Sequence, residues 1–257
     1  MLLAIDIGNS NIAFGIYGAG WQHRWRLNTV ADKTSDEYQV LFRSLISNHD
    51  YSLEHIKQVV ISSVVPPLSP TFLHMVRNMF GVEPLLINAK TDTGISVKID
   101  NPLEIGSDLL TNAVAGYVKY QDNCIVVDFG TALSITVVGK TGVLLGASIA
   151  PGIKSAMKAL SSNTAQLPFV QLEAPPSVIG KNTIHAIQSG VVLGYVGLVE
   201  SLIKKIKGEL GEPVKVIATG GLAEVIAPLT DQFDALDPWL TLEGLRLIAE
   251  KNKQESA

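Results

Sequence analysis

The chain has 257 residues, 47% hydrophobic and 17% charged, with a net charge of -4, so it can build one large domain or two compact ones and carries no electrostatic footprint for nucleic acid. A single cysteine, Cys124, excludes an intrachain disulfide, and the five scattered histidines (His23, His49, His55, His74, His185) include no pair at zinc-ligand spacing. No run approaches the ~18 consecutive apolar residues of a membrane span, and the whole pattern fits a reducing cytoplasm.

In chain order, "LLAIDI" (2–7), "IAFGIY" (12–17) and "HRWRLN" (23–28) read as strands joined tightly and antiparallel. A helix follows from about Ser35, with Tyr38, Leu41, Phe42, Leu45 and Ile46 at helical spacing. "VVISSVV" reads as a strand, "SPTFLHMVRNMF" as a helix and "PLLIN" as another strand. Residues 106–120 form a helix with Leu110, Ala113, Val114 and Tyr117 on one face. A second block opens with the strands "CIVVDF", "LSITVV" and "VLLGASIA", then helices over 153–160 and 183–207. Pro168, Pro175 and Pro176 mark 161–180 as a long loop. "VKVIAT" is a strand, "GGLAEVIAPL" opens a helix and "TLEGLRLIAEKN" closes the chain as one. This alternation is that of an α/β protein. Cys124 reads as a small buried hydrophobe, and Lys204, Lys205 and Lys207 complement the dipole at a helix end.

A weak internal repeat carries more chemistry. "LLAIDIGNSNIAFGIYG" and "CIVVDFGTALSITVVGK" each run from an apolar strand through Asp-x-Gly and a small polar residue into a second strand, aligning Asp6 with Asp128, Gly8 with Gly130 and Asn9 with Thr131. Such a turn sets a carboxylate beside a glycine that lets backbone approach a ligand, and its N–H groups cradle phosphate oxygens. The carboxylate itself repels phosphate, so it works through a bound cation or a water. One Asp-x-Gly is ordinary hairpin chemistry; two at matching positions favour phosphate binding by two halves that face each other across a cleft. "VIATGGLAE" adds Thr219, Gly220 and Gly221, either a tight strand-to-helix connection or a third anion site. "GVVLGYVG" falls mid-helix, where its glycines are expected to permit close helix packing. Neither a P-loop nor a Gly-x-Ser-x-Gly elbow is present.

Asp108, in "IGSDLLTN", is the one charged residue between Glu104 and Lys119. It reads as a helix cap or, beside a phosphate cleft, as the base that phosphoryl transfer to an alcohol requires.

The ordered set "DIGNSN", "DNPLEIGSD", "VVDFGTA", "IAPGI", "IGKNTIHAIQSG", "ATGGLA" and "LTLEGLRLI", spanning residue 2 to about 252, resembles the type III pantothenate kinases. That family includes the Bvg accessory factor proteins and lies in the actin/hexokinase/acetate-kinase superfamily. The resemblance implies duplicated actin-like (ribonuclease H-like) α/β domains, at 1–118 and 119–257, with mixed sheets flanked by helices and a nucleotide cleft between them. It implies a cytoplasmic homodimer that takes ATP, Mg2+ and a monovalent cation (K+ or NH4+) and phosphorylates pantothenate in the first step of coenzyme A synthesis. Position by position it implies a first phosphate loop of Asp6, Ile7, Gly8, Asn9, Ser10, Asn11, Ile12 and Ala13. Thr131 then contacts ATP, Asp128 holds the monovalent cation, and Gly220 and Gly221 lie near the adenosine. Asp108 becomes the proton acceptor, while Ile99, Gly106, Ser107, Leu109 and Thr183 fall with it on substrate-binding positions.

The chain departs from the family pattern beside that base. Gly-Ala-Asp-Arg becomes Gly106-Ser107-Asp108-Leu109, and Ile99 stands for a substrate-contacting Tyr. Leu133 stands for Thr and Ser10 for Thr. A charge-assisted hydrogen bond contributes ~1.5–3 kcal/mol, so losing the Arg corresponds to one to two orders of magnitude in binding or rate. The alternatives are therefore a catalytically weak relative acting as a nucleotide-binding or regulatory protein, or a kinase for another hydroxyl substrate.

Overall fold

A computed structural model of the chain describes residues 1–47, 53–163 and 167–254. His49 and residues 164–166 of the expected loop lie outside the described residues. The first apolar run forms β1 (Leu2–Ile7), antiparallel to β2 (Asn11–Tyr17), which pairs in turn with β3 (Trp21–Asn28). Helix α1 (Ser35–Ser47) starts with a reciprocal cap one residue earlier than its sequence opening suggests: Glu37 N–H donates to Thr34 Oγ1 at 3.3 Å and the Glu37 carboxylate accepts the Thr34 N–H at 2.8 Å. There follow β4 (Gln58–Ser63), α2 (Leu68–Phe80), β5 (Leu85–Leu86), β6 (Ser96–Val97) and α3 (Ser107–Tyr120). The second block contains β7 (Cys124–Phe129), β8 (Ala132–Gly139), β9 (Val143–Pro151), α4 (Ile153–Ser162) and α5 (Thr183–Gln188). It continues through a π-helical stretch, Ser189–Leu193, to α6 (Gly194–Leu210), β10 (Lys215–Thr219), α7 (Ala223–Ile226), β11 (Ala235–Leu236) and α8 (Leu240–Gln254).

The described chain forms two compact units. The first comprises Met1–Ser96, Asp100–Ala115 and Thr241–Ala257, and the second Val97–Ile99 and Gly116–Leu240. Sequence reading put one boundary at 118/119; here α8, but for its first residue, is grouped with the N-terminal half.

The first unit's sheet has the order β3-β2-β1-β4-β5, with β4 and β5 parallel to β1. The second unit's sheet runs β11-β10-β7-β8-β9-β6, again with β10 and β11 parallel to β7. Substituting β7 for β1, β8 for β2, β9 for β3, β10 for β4 and β11 for β5 turns one order into the other, and β6 is an added edge. The repeat seen in two strands thus covers all five. In the first unit Phe14 stacks on Phe42 at 4.0 Å, and Tyr38 and Phe72 join them in the core. In the second, Ile125, Val127, Ile135, Val199 and Ile203 are buried together.

Several local expectations are corrected. "PLLIN" forms only a two-residue strand, Leu85–Leu86, at the sheet edge, with the Ile87 N–H still donated to the Ile61 carbonyl at 2.8 Å. The helix after "ATGG" has four residues and gives way at Pro228 to a 3-10 turn, Ala227–Leu229, since proline lacks an N–H and restricts the residue before it. The glycines of "GVVLGYVG" do not serve packing within the described chain: a Cβ at Gly190, Gly194 or Gly197 would meet nothing within 4 Å. The run Thr183–Leu210 is also long and apolar enough, by length and composition, to cross a membrane. On one side it is a core helix, with Val192, Val196, Val199 and Ile203 buried in the second unit.

Candidate active site

In the first unit, the turn between β1 and β2 is Gly8-Asn9-Ser10-Asn11, closed by a Gly8 N–H to Asn11 carbonyl bond of 3.0 Å. A Cβ on Gly8 would lie 3.0 Å from that carbonyl, so the tight closure favours glycine. The residue after β3 braces the turn: Thr29 donates its N–H to the Ser10 carbonyl at 3.0 Å and its hydroxyl to the Gly8 carbonyl at 2.6 Å. Asn9, Ser10 and Asn11 are exposed, Asp6 is half-buried, and Ile7, Ile12 and Ala13 belong to the strands themselves, with Ile7 and Ile12 in the core.

The equivalent turn of the second unit, Gly130-Thr131-Ala132, is one residue shorter between its flanking strand pairs. It is braced from the same place. Gly152, after β9, donates to the Thr131 carbonyl at 3.1 Å, and Ser155 Oγ donates to it at 3.0 Å. A Cβ on Gly152 would overlap the backbone of Gly130 and Thr131, so glycine is required there. The first turn of α4 carries no acidic residue and its N-cap, Gly152, has no side chain, which leaves N–H groups suited to an anion beside Thr131. Gly220 adopts φ +90°, and a Cβ on it would overlap the Asp128 carboxylate and the Phe129 backbone. The close approach of the "ATGG" turn to Asp128 therefore depends on glycine. Because α7 has only four residues, Gly220 makes this contact without a long helix behind it.

Asp108 lies in the first turn of α3, half-buried. Desolvation pushes its carboxyl above the ordinary range, against the opposing pull of backbone N–H groups, one of them Leu109 N–H at 2.8 Å. It thus satisfies a helix N–H while keeping the raised affinity for a proton that suits a base. Gly106 makes room for it: a Cβ there would stand 2.5 Å from Asp108 Oδ1. Within the first unit, Asp108 is connected to the Asp6 turn by a short chain of residues. Asp6 is the register partner of Ser62 on β4, and Ser62 Oγ lies 2.9 Å from Ser107 Oγ, next to Asp108. Leu109 is half-buried.

Ile99 and Thr183 fall in the second unit, with Asp128, Thr131, Gly220 and Gly221. Ile99 is half-buried just after β6, and Thr183 is the exposed first residue of α5, behind the N-cap Asn182, which accepts the His185 N–H at 2.8 Å. Cys124 is buried and its thiol is pushed up to about 12 by desolvation, so it is no nucleophile. Among the described residues no group of three or more His, Cys, Asp and Glu is placed to hold a metal ion.

Sequence reading overlooked Ser62, Ser63, Gly152 and Ser155. A signal for the first pair existed: Asp6 registers with Ser62 as Asp128 registers with Thr219, so "ISS" occupies the place of "ATG".

A duplicated mixed sheet with one Asp-x-Gly turn per copy defines the actin-like class of sugar kinases and related ATPases. Two solved structures share the fold. One is a Baf family transcriptional activator from Campylobacter jejuni, at TM-score 0.63 and 21% identity over 98% of this chain and 99% of that one. The other is a 2-dehydro-3-deoxygalactonokinase from Sinorhizobium meliloti, at TM-score 0.57 and 14% identity over 98% and 96%. The sequence profile of the type III pantothenate kinases matches residues 2–205. Relatives named type III pantothenate kinase include one from Roseiflexus castenholzii, 46% identical over 99% of this chain and 100% of its own length. Another, from Citrifermentans bemidjiense, is 45% identical over 98% and 100%. The chain belongs to the type III pantothenate kinase family. It is accordingly an enzyme of the kinase class, for which ATP is the phosphoryl donor.

Proposed function

We propose that this protein transfers the γ-phosphoryl group of ATP to the primary hydroxyl of pantothenate, with Asp108 as the general base. The observation that supports it best is the partly desolvated Asp108 carboxylate, joined through Ser107 and Ser62 to the strand that ends in the Asp6 turn. The residues of both turns suit phosphate: exposed Asn9, Ser10, Asn11 and Thr131 offer hydroxyls, amides and backbone N–H groups beside glycines. Asp6 and Asp128 are carboxylates fit for a divalent and a monovalent cation, K+ or NH4+. Bound Mg2+ supplies neutralisation of phosphate charge. Asp108 accepts the hydroxyl proton as the oxygen attacks, and its raised proton affinity matches that task at neutral pH. Gly106, Ser107, Leu109, Ile99 and Thr183 are assigned to pantothenate, and Gly220 and Gly221 to the nucleoside end of ATP.

A cytoplasmic homodimer completes the reading. It is supported by the exposed apolar residues Phe169, Val178, Ile179 and Ile184 and by the open glycine face of Gly190, Gly194 and Gly197. A second reading, favoured by Leu109 and Ile99 in place of polar substrate contacts, is a weak relative that binds nucleotide or phosphorylates another alcohol.

Pantothenate-dependent ADP formation with Mg-ATP and potassium separates the two. Robust turnover that Asp108→Asn reduces by roughly three orders of magnitude supports the first. A silent wild type that Leu109→Arg awakens supports the second.

A further inference from the structure

The first residue of α3, Ser107, is fastened to the end of β4 by a side-chain bridge that uses the hydroxyl a substrate contact would need. Ser107 Oγ lies 2.9 Å from Ser62 Oγ, accepts the Ser63 N–H at 3.2 Å and donates to the Ser63 carbonyl at 3.2 Å. A hydroxyl has one proton and two lone pairs. With its proton on the carbonyl, Ser107 accepts from Ser62, and all its capacity is filled by β4. Ser62 is fully buried, so removal of its partner strands a polar group away from water. The network extends on both sides. Ser69, in α2, donates to Ser63 Oγ at 2.9 Å, and Thr111, one turn along α3, donates to the Ser107 carbonyl at 2.5 Å.

We propose that Ser107 is a positioning residue for Asp108: its bridge to Ser62 and Ser63 fixes the first turn of α3 and with it the direction of the Asp108 carboxylate. The inference rests on the reading of Asp108 as base and reassigns Ser107 from substrate contact to anchor. Gly106 supplies the complementary restraint, because the carboxylate occupies the space that a side chain at 106 would fill. Leu109 offers no side-chain donor beside the carboxylate, and Ser107 carries a hydroxyl that alanine cannot provide. The strand thus holds the aspartate through a bond that a Gly-Ala-Asp turn lacks.

The test is steady-state kinetics of the full chain with Mg-ATP, potassium and pantothenate. The variants are Ser107→Ala, Ser107→Thr, Ser62→Ala, Asp108→Asn and the double variant Asp108→Asn/Ser107→Ala. Ser107→Ala, which removes all three bonds of the bridge, is expected to lower kcat by roughly tenfold or more, while KM for ATP stays within about twofold. Ser107→Thr, which keeps the hydroxyl, should recover most of the rate, and Ser62→Ala, which removes one of the three bonds, should lower kcat in the same direction by less. In the Asp108→Asn background Ser107→Ala should change nothing further, since an anchor acts only through the group it holds. Equal fractional losses with and without Asp108 overturn the proposal, as does unchanged kcat in both Ser107→Ala and Ser62→Ala. Should Ser107→Ala fail to fold, Ser62→Ala removes one of these bonds from the strand side and carries the comparison. Turnover that Asp108→Asn leaves intact overturns the choice of base and the anchor with it. Turnover abolished by Asp108→Asn but indifferent to both serine variants overturns the anchor alone.

Discussion

Asp108 is the residue on which chemistry and stability pull in opposite directions. Desolvation raises its proton affinity, and the Leu109 N–H only partly offsets that. Turnover that needs the carboxylate should fall on the acid side at a higher pH than an exposed aspartate would give, which the pH profile of kcat reads directly. The stability consequence has a definite sign. A carboxyl whose folded pKa exceeds its unfolded value contributes stability below the unfolded value and loses it as pH rises through the folded one. Asp108→Asn, which removes the buried charge, should therefore melt above wild type at neutral pH and converge with it as the pH falls into the carboxylate range. A gap that stays constant with pH would contradict this. Asp108 stood out in the sequence because it is the one charged residue between Glu104 and Lys119. Ser62 and Ser63 did not, because their bonds to Ser107 span more than forty residues and leave no local pattern.

At the scale of elements, the glycines divide into those that shape a site and those that do not. Gly220, at φ +90° and against Asp128 and Phe129, should lose ~1–3 kcal/mol on substitution by alanine, and ATP binding should suffer with it. Gly208→Ala, in α6 with open space around it, should gain ~0.5–1 kcal/mol from helix propensity. Urea titrations of the two variants check the pair, and a Gly220→Ala protein as stable as wild type would refute the steric assignment. The strands β1, β2, β7 and β8 were legible because a largely apolar run marks each of them and ends at a glycine. The truncation of α7 could have been read from Pro228, whose missing N–H cannot continue a helix. The two-residue length of β5 could not, since "PLLIN" has the composition of a longer strand and its pairing is set by β4, more than twenty residues away in the chain.

At the scale of the whole molecule, the chain's last helix serves its first half. Trp21 Nε1 donates to Glu243 at 2.8 Å, Gln58 donates to the Ala249 carbonyl at 2.9 Å, and Thr241 donates to Asn112 at 2.8 Å. Gly244 lies so close to the Thr111 backbone that a side chain has no room. Leu242, Leu245, Ile248 and Ala249 are buried. Deleting residues 241–257 should thus unfold or loosen the N-terminal strands, seen as faster amide exchange across 1–63 than across 124–151. Exchange that rises only in the second block would show that α8 supports that block instead.

The sequence by itself determined the α/β alternation, the paired Asp-x-Gly turns, the isolated aspartate and the family. Each is written in local periodicity, in short motifs or in their order, and hydrophobic spacing is enough to say which face of a strand or helix meets the core. Only the tertiary structure decided that five strands repeat rather than two, that α8 joins the first unit, and that Ser107 is bonded to Ser62 and Ser63. Those facts depend on pairings between residues far apart in the chain, made by hydrogen bonds and close backbone approach, which carry no period for a sequence to display.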